Sequence, residues 1–191
     1  MNTPNKLTIL RMIITPVFLA VFLLDFPYHI LAATIIFCIG SVTDAIDGRL
    51  ARKNLQVTVF GKLADPVADK MLTTAALLAF MHTGLCNIWI VMIVLTREFA
   101  VTSIRLVASA QGIVIPANMW GKLKTVSQMT FTIVILVLYQ IHESFNIFPA
   151  DGTFTLPFVS NLLLWITAVL TVISGIIYVV QSSKLVDFSQ K

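Results

Sequence analysis

The chain has 191 residues, 58% of them hydrophobic and only 12% charged, with a mean hydropathy of +0.92; a soluble domain of this size cannot bury so much apolar surface. The composition points to an integral membrane protein and excludes a secreted enzyme and a coiled coil. The net charge of +4 is spread over lipid-length segments rather than along one solvated basic face, which excludes a nucleic-acid-binding module.

A spanning helix needs roughly 20 apolar residues, and six such runs follow one another along the sequence at 7–24, 30–51, 57–83, 88–109, 124–141 and 155–180. The breaks between them are short and rich in turn-forming or polar residues, as at 25–29, 53–56 and 84–87. The expected fold is therefore all-α, a polytopic membrane protein with six transmembrane helices forming one domain over 1–191. The runs do not alternate in period two, which excludes a β-barrel. The first is too long for a signal-peptide core and has no small-residue cleavage site behind it, so it is expected to be a retained helix.

Basic residues set the orientation. Lys6 and Arg11, then Arg49 to Lys70, then Arg97 to Lys124, then Lys184 and Lys191 lie on one side or lead toward it, while the other side keeps Asp25, Glu143 and Asp151. By the positive-inside rule both termini are cytoplasmic. His29, His82 and His142 then fall on the outer side as interfacial residues. Cys38, inside a span, and Cys86, in an outer loop, read as two small apolar side chains with no disulfide between them.

Four carboxylates, Asp44, Asp47, Asp65 and Asp69, fall close together across the second and third spans. At 100° per residue, Asp44, Asp47, Gly48 and Ala51 lie within about 100° of one another on a helix, with Arg52 some 40° beyond Gly48. Asp65 and Asp69 are one turn apart. A helix opening at Pro66 would be too short to cross, so the third span is expected to begin near Val57 and to be kinked or locally unwound at Pro66. That places Asp65 and Asp69 two to three turns inside its cytoplasmic end.

A carboxylate at membrane depth costs on the order of 2.5–3.5 kcal/mol, and four together repel and take up protons unless a cation holds them ionised. Oxygen-only ligands without histidine or thiolate suit Mg²⁺, with Mn²⁺ as a substitute. Two facing helices could hold a pair of such ions, an arrangement suited to displacement at phosphorus. The competing reading is a solvated interfacial patch in which the acids pair with Arg49, Arg52, Lys53 and Lys62. A membrane prenyltransferase or a cation transporter would also gather acids around ions.

A second polar group lies further along. Arg97 sits about 15 Å into its helix counted from Asn87, where a lone cation is costly, and the adjacent Glu98 is not expected to face it. Glu98, Thr102 and Arg105 read as one polar stripe lining a wet cavity. Arg105, Lys122 and Lys124 approach from the cytoplasmic side, and with Arg97 they fit a phosphorylated ligand better than serine or free inositol. Lys122 and Lys124 also have a plainer reading, as positive-inside anchors.

Taken together, Asp44, Asp47, Gly48, Ala51, Arg52, Gly61, Asp65 and Asp69 spell D-x-x-D-G-x-x-A-R, eight residues, G-x-x-x-D-x-x-x-D. This resembles the signature of the CDP-alcohol phosphotransferase family at all of its fixed positions, and the six-helix length agrees over the whole chain. The start from Asn5 to Arg11, the run from Ala64 to Lys70, Arg97-Glu98-Phe99 and the run from Gly121 to Thr125 resemble the members that use glycerol-3-phosphate.

The resemblance implies transfer of a phosphatidyl group from CDP-diacylglycerol to an alcohol, here glycerol-3-phosphate, with release of CMP. Other acceptors of the same chemistry are inositol phosphate, serine and phosphatidylglycerol. It further implies that Asp44, Asp47, Asp65 and Asp69 bind metal, with Asp69 also the general base, and that Gly48, Ala51, Arg52 and Gly61 surround the CDP moiety. Arg97, Arg105, Lys122 and Lys124 are the candidates for the acceptor phosphate. A homodimer in the cell membrane, with the site facing the cytoplasm, completes the expectation.

Overall fold

Residues 3–54, 59–113, 115, 118–149, 152 and 154–183 are described by the structure, a computed structural model, with side chains described for all of these except 3–7, 44–54 and 59–66. Among the described residues there are six helices and no strand: α1 (Thr3–Leu23), α2 (His29–Asn54), α3 (Val59–His82), α4 (Ile88–Ala110), α5 (Met119–Phe145) and α6 (Leu156–Ser182). α1 packs on α2 and α3, α6 packs on α4 and α5, and contacts of α2 with α5 and of α3 with α4 and α5 join the two groups.

Helix ends follow local signals. Asn87, Asn118 and Thr155 each precede a helix with extended backbone and accept a hydrogen bond from a backbone N–H of the first turn, filling one of the donors a helix start leaves open. α3 and α4 stop where Gly84 (φ 75°) and Gly112 (φ 72°) take the left-handed conformation, and Leu85 and Ile113 donate back to Phe80 and Ala108.

The fifth span corrects the sequence expectation: it starts at Met119, not at 124, because Asn118 caps it. Lys122 and Lys124 therefore lie within the helix. α3 runs through Pro66 as helix without interruption, so the expected unwinding there is absent; one missing N–H near the helix start interrupts a single backbone bond.

The bundle has an apolar core into which several hydroxyl side chains are also turned, while large aliphatic side chains face outward. On α6 the buried side chains include Ser160, Thr167, Thr171, Ser174 and Ser182, at spacings of three, four and seven residues or more, whereas Leu162, Trp165, Ile166, Val169, Val172, Ile176 and Val179 face outward. Several of these hydroxyls satisfy themselves on the preceding turn, as Thr171 does on Thr167 O (2.7 Å) and Ser182 on Tyr178 O (2.7 Å). Water would favour the opposite arrangement, while hydrocarbon permits it and lets small polar residues bring helices close. α5 and α6 are each long and apolar enough to cross a membrane.

At the end opposite the acids, Phe18, Phe22, Phe37 and Phe80 form an aromatic core with ring centroids about 6 Å apart. His29 closes that end, its Nδ1 3.0 Å from Phe22 O and its Nε2 3.1 Å from Glu143 Oε1. Cys38 and Cys86 are both free. Burial of Cys86 in the α3–α4 loop pushes its thiol up to about 12, so it stays protonated at neutral pH.

Close approach of α2 to its neighbours depends on Gly40, where a Cβ would stand 2.6 Å from Leu72 Cδ2 on α3 and 3.4 Å from Ile14 Cγ2 on α1. Gly40→Ala is expected to be mild, because the Leu72 methyl can turn away. Gly40→Leu should lower stability by about 1–3 kcal/mol through overpacking, read as a fall in unfolding midpoint in detergent. Equal midpoints for the two variants would contradict this packing.

Candidate active site

The four acids belong to two helices that meet α1 at the same end of the bundle. Asp44 and Asp47 are one turn apart near the end of α2, and Asp65 and Asp69 are one turn apart in the first half of α3. The side chains of Asp44, Asp47, Gly48, Ala51, Arg52, Gly61 and Asp65 lie outside the described residues. Asp69 is described, and it forms an ion pair with Arg11 of α1.

Arg11 is buried, while the Asp69 side chain keeps 47% of its surface open. A buried guanidinium thus meets a carboxylate that is half open at the surface, joining α1 to α3 by a charge-assisted contact. Among the described residues no group of three or more potential metal ligands occurs, since three of the four acids fall outside them. The donor set itself, carboxylate oxygen throughout, fits a hard divalent cation and not a thiophilic metal.

One residue along α3, Lys70 turns to a second charged cluster. Its Nζ lies 3.9 Å from Glu98 Oε2, Arg97 Nη1 donates to Glu98 Oε1 at 3.2 Å, and Lys124 of α5 is ion-paired with the same carboxylate. Arg97 Nη2 donates to Ser174 Oγ of α6 at 3.1 Å. The cluster thus ties α3, α4, α5 and α6 together. Lys124 is only 2% exposed, a degree of burial that a lysine tolerates only with a partner.

Two expectations are corrected here. Arg97 is not a lone cation, and Glu98 does meet it, because the long arginine stem turns back along its own helix to reach the neighbouring carboxylate. Glu98 also gives the basic group an anion of its own. Thr102 turns its hydroxyl back to Glu98 O at 2.7 Å, one turn along α4 from the part-buried Glu98 toward the exposed Arg105.

The four basic candidates separate accordingly. Arg97 and Lys124 converge on Glu98. Arg105 and Lys122 are exposed and form no ion pair among the described residues. Arg97 packs closely on α6 at Gly175, where a Cβ would stand 3.1 Å from Arg97 Cγ, and passes Gly121 of α5 at ordinary contact distance, 3.6 Å from Arg97 Nη2. Arg11, Lys70, Ser174 and these glycines were not singled out as site residues from the sequence. A buried cation in an otherwise apolar first helix was the signal for Arg11; the glycines carry no local signal, since only tertiary contact reveals them.

Comparison with known proteins follows the same lines. The family model described as CDP-alcohol phosphatidyltransferase matches residues 1–173. The chain is 38% identical over 186 residues to the CDP-diacylglycerol–glycerol-3-phosphate 3-phosphatidyltransferase of Bacillus subtilis, covering 91% of each chain. It is 34% identical over 177 residues to the protein of the same description from Rickettsia bellii, covering 93% of each. It is 41% identical over 130 residues to a probable phosphatidylglycerophosphate synthase of Mycobacterium tuberculosis, covering 66% of this chain and 62% of that one. With the signature acids on α2 and α3 and a match over nearly its whole length, the chain belongs to the CDP-alcohol phosphatidyltransferase family of enzymes.

Proposed function

We propose that this chain transfers the phosphatidyl group of CDP-diacylglycerol to sn-glycerol-3-phosphate, releasing CMP and forming phosphatidylglycerophosphate. The observation that carries the reading is the adjacency of Asp69 and Lys70. One residue belongs to the acid end of the site and the next to the cationic cluster of Arg97 and Lys124. An acceptor with a hydroxyl at one end and a phosphate at the other fits such a site, and the described activity of the relatives from Bacillus subtilis and Rickettsia bellii supports it.

In this reading Arg97 and Lys124 hold the acceptor phosphate, with Lys70 beside them, and the primary hydroxyl is presented toward Asp69. Asp69 takes the hydroxyl proton as that oxygen bonds to the diacylglycerol-linked phosphorus. The bond from this phosphorus to the CMP oxygen breaks, and CMP leaves with the bonding electrons. Gly48, Ala51, Arg52 and Gly61 surround the CDP moiety. Asp44, Asp47, Asp65 and Asp69 would hold divalent cations, Mg²⁺ with Mn²⁺ as a substitute and two per site, supplying charge neutralisation at the diphosphate and the departing CMP. Arg105 and Lys122, near the same ends of α4 and α5, serve as cytoplasmic anchors.

The outward aliphatics and inward hydroxyls of the helices support a single domain of six spans in the cell membrane. The distribution of basic residues supports cytoplasmic termini and a site open to the cytoplasm, where a water-soluble acceptor meets a donor whose chains stay in lipid. A homodimer belongs to the same proposal, by family likeness.

The test is CMP release from detergent-solubilised protein given CDP-diacylglycerol, Mg²⁺ and one acceptor at a time. Glycerol-3-phosphate should support release where glycerol, serine and inositol-1-phosphate do not, and chelation of the metal should abolish it. Asp44→Asn, Asp47→Asn and Asp65→Asn should each lower turnover by roughly a hundredfold or more in folded protein, as expected when charge stabilisation at the transition state is removed. Preference for an uncharged alcohol, or near-normal turnover in any of the three variants, would overturn the corresponding part of the reading.

A further inference from the structure

Glu98 has no part in the chemistry just described, yet it is the only carboxylate among the described residues to contact cations from three helices, its own included: Lys124 on α5, Arg97 beside it on α4 and Lys70 on α3. A staple between two helices would need one cation. Here the buried Lys124 and the part-buried Arg97 share one carboxylate, so among the described residues that pair keeps a surplus of positive charge in a setting of low dielectric. Hydrogen-bonding capacity is in surplus too. Lysine carries three N–H donors and arginine five; Arg97 Nε is buried with no partner, although Nη1 and Nη2 are both engaged.

We propose that Glu98 is the positioning residue that sets acceptor specificity. Its carboxylate draws Lys124 and Arg97 toward one point and fixes their spacing, leaving on that pair charge and donors that a dianionic phosphate monoester cancels and a neutral or zwitterionic alcohol does not. This rests on the acceptor reading above. The energetic logic is preorganisation: two flexible cationic side chains held in place before the ligand arrives lose less freedom on binding it. Arg97 is held on its other side by Ser174 and by close packing on Gly175, so Glu98 and α6 together aim its guanidinium.

The experiment is steady-state kinetics on wild type, Glu98→Asp and Glu98→Gln, with acceptor and donor varied separately. Shortening the carboxylate should raise the glycerol-3-phosphate KM about threefold, and removing its charge about tenfold, the order expected for losing one charge-assisted contact network. The CDP-diacylglycerol KM and kcat should stay within about twofold across the series, because the positioned groups touch only the acceptor. Preference for glycerol-3-phosphate over glycerol should fall in the same order. An acceptor KM that stays flat overturns the proposal, as does a donor KM that rises in step with it, or failure of both variants to fold, which would make Glu98 a structural staple. Failure of the function itself reads differently, as absence of CMP release from wild type with glycerol-3-phosphate.

Discussion

Charged side chains inside a bundle of this composition must neutralise one another, and the shared contact of Lys124, Arg97 and Lys70 with Glu98 is where this requirement shapes the molecule. The constraint fixes where α3, α4, α5 and α6 can sit relative to one another. Arg11 with Asp69 does the same for α1 and α3. Helix packing on the site side therefore combines ion pairs with a smaller apolar cluster of Val101, Ala108, Ile115 and Tyr178.

The opposite end is built differently. There the phenylalanine cluster and the contacts of His29 and of Ser160 with Leu85 O (2.7 Å) join the helices. A bundle rigid at one end and charged at the other presents its polar groups on fixed helices, the arrangement that keeps reacting groups in register. Helices with inward hydroxyls and outward aliphatics can associate in lipid without a hydrophobic driving force, because small side chains allow close backbone approach. Among the described glycines, Gly40 and Gly175 are the positions where a neighbouring helix's side chain packs most closely.

Much of this was legible in the sequence because lipid imposes a simple rule: six runs of spanning length became six helices. Boundaries were less legible where a cap mattered more than hydropathy. Asn118 starts α5 among residues whose polarity had excluded them from the span, and Pro66 proved compatible with a continuous α3. Fixed spacing was enough to place two acids one turn apart on each of α2 and α3, since helical periodicity turns spacing into neighbouring positions on one helix. The acceptor side was only half legible. Arg97 was identifiable as a costly cation and Lys124 as a basic residue on the cytoplasmic side, but their common partner was misplaced because a side chain's reach along its own helix is not contained in a wheel projection. Arg105 and Lys122 looked equivalent to them in sequence, and only burial separates the pairs: Lys124 is buried and tied, Arg105 and Lys122 are exposed.

That separation gives the most direct test of the claim that the cationic cluster beside Asp69 receives the acceptor phosphate. The measurement is the acceptor KM of Lys124→Ala compared with Arg105→Ala, with donor KM recorded in parallel. A charge-assisted contact to phosphate is worth roughly 1.5–3 kcal/mol, so the account predicts an increase of about tenfold or more for Lys124→Ala. Little change is predicted for Arg105→Ala, and donor KM should be unaltered in both. An unchanged acceptor KM in folded Lys124→Ala, or a larger effect from Arg105→Ala, would contradict it.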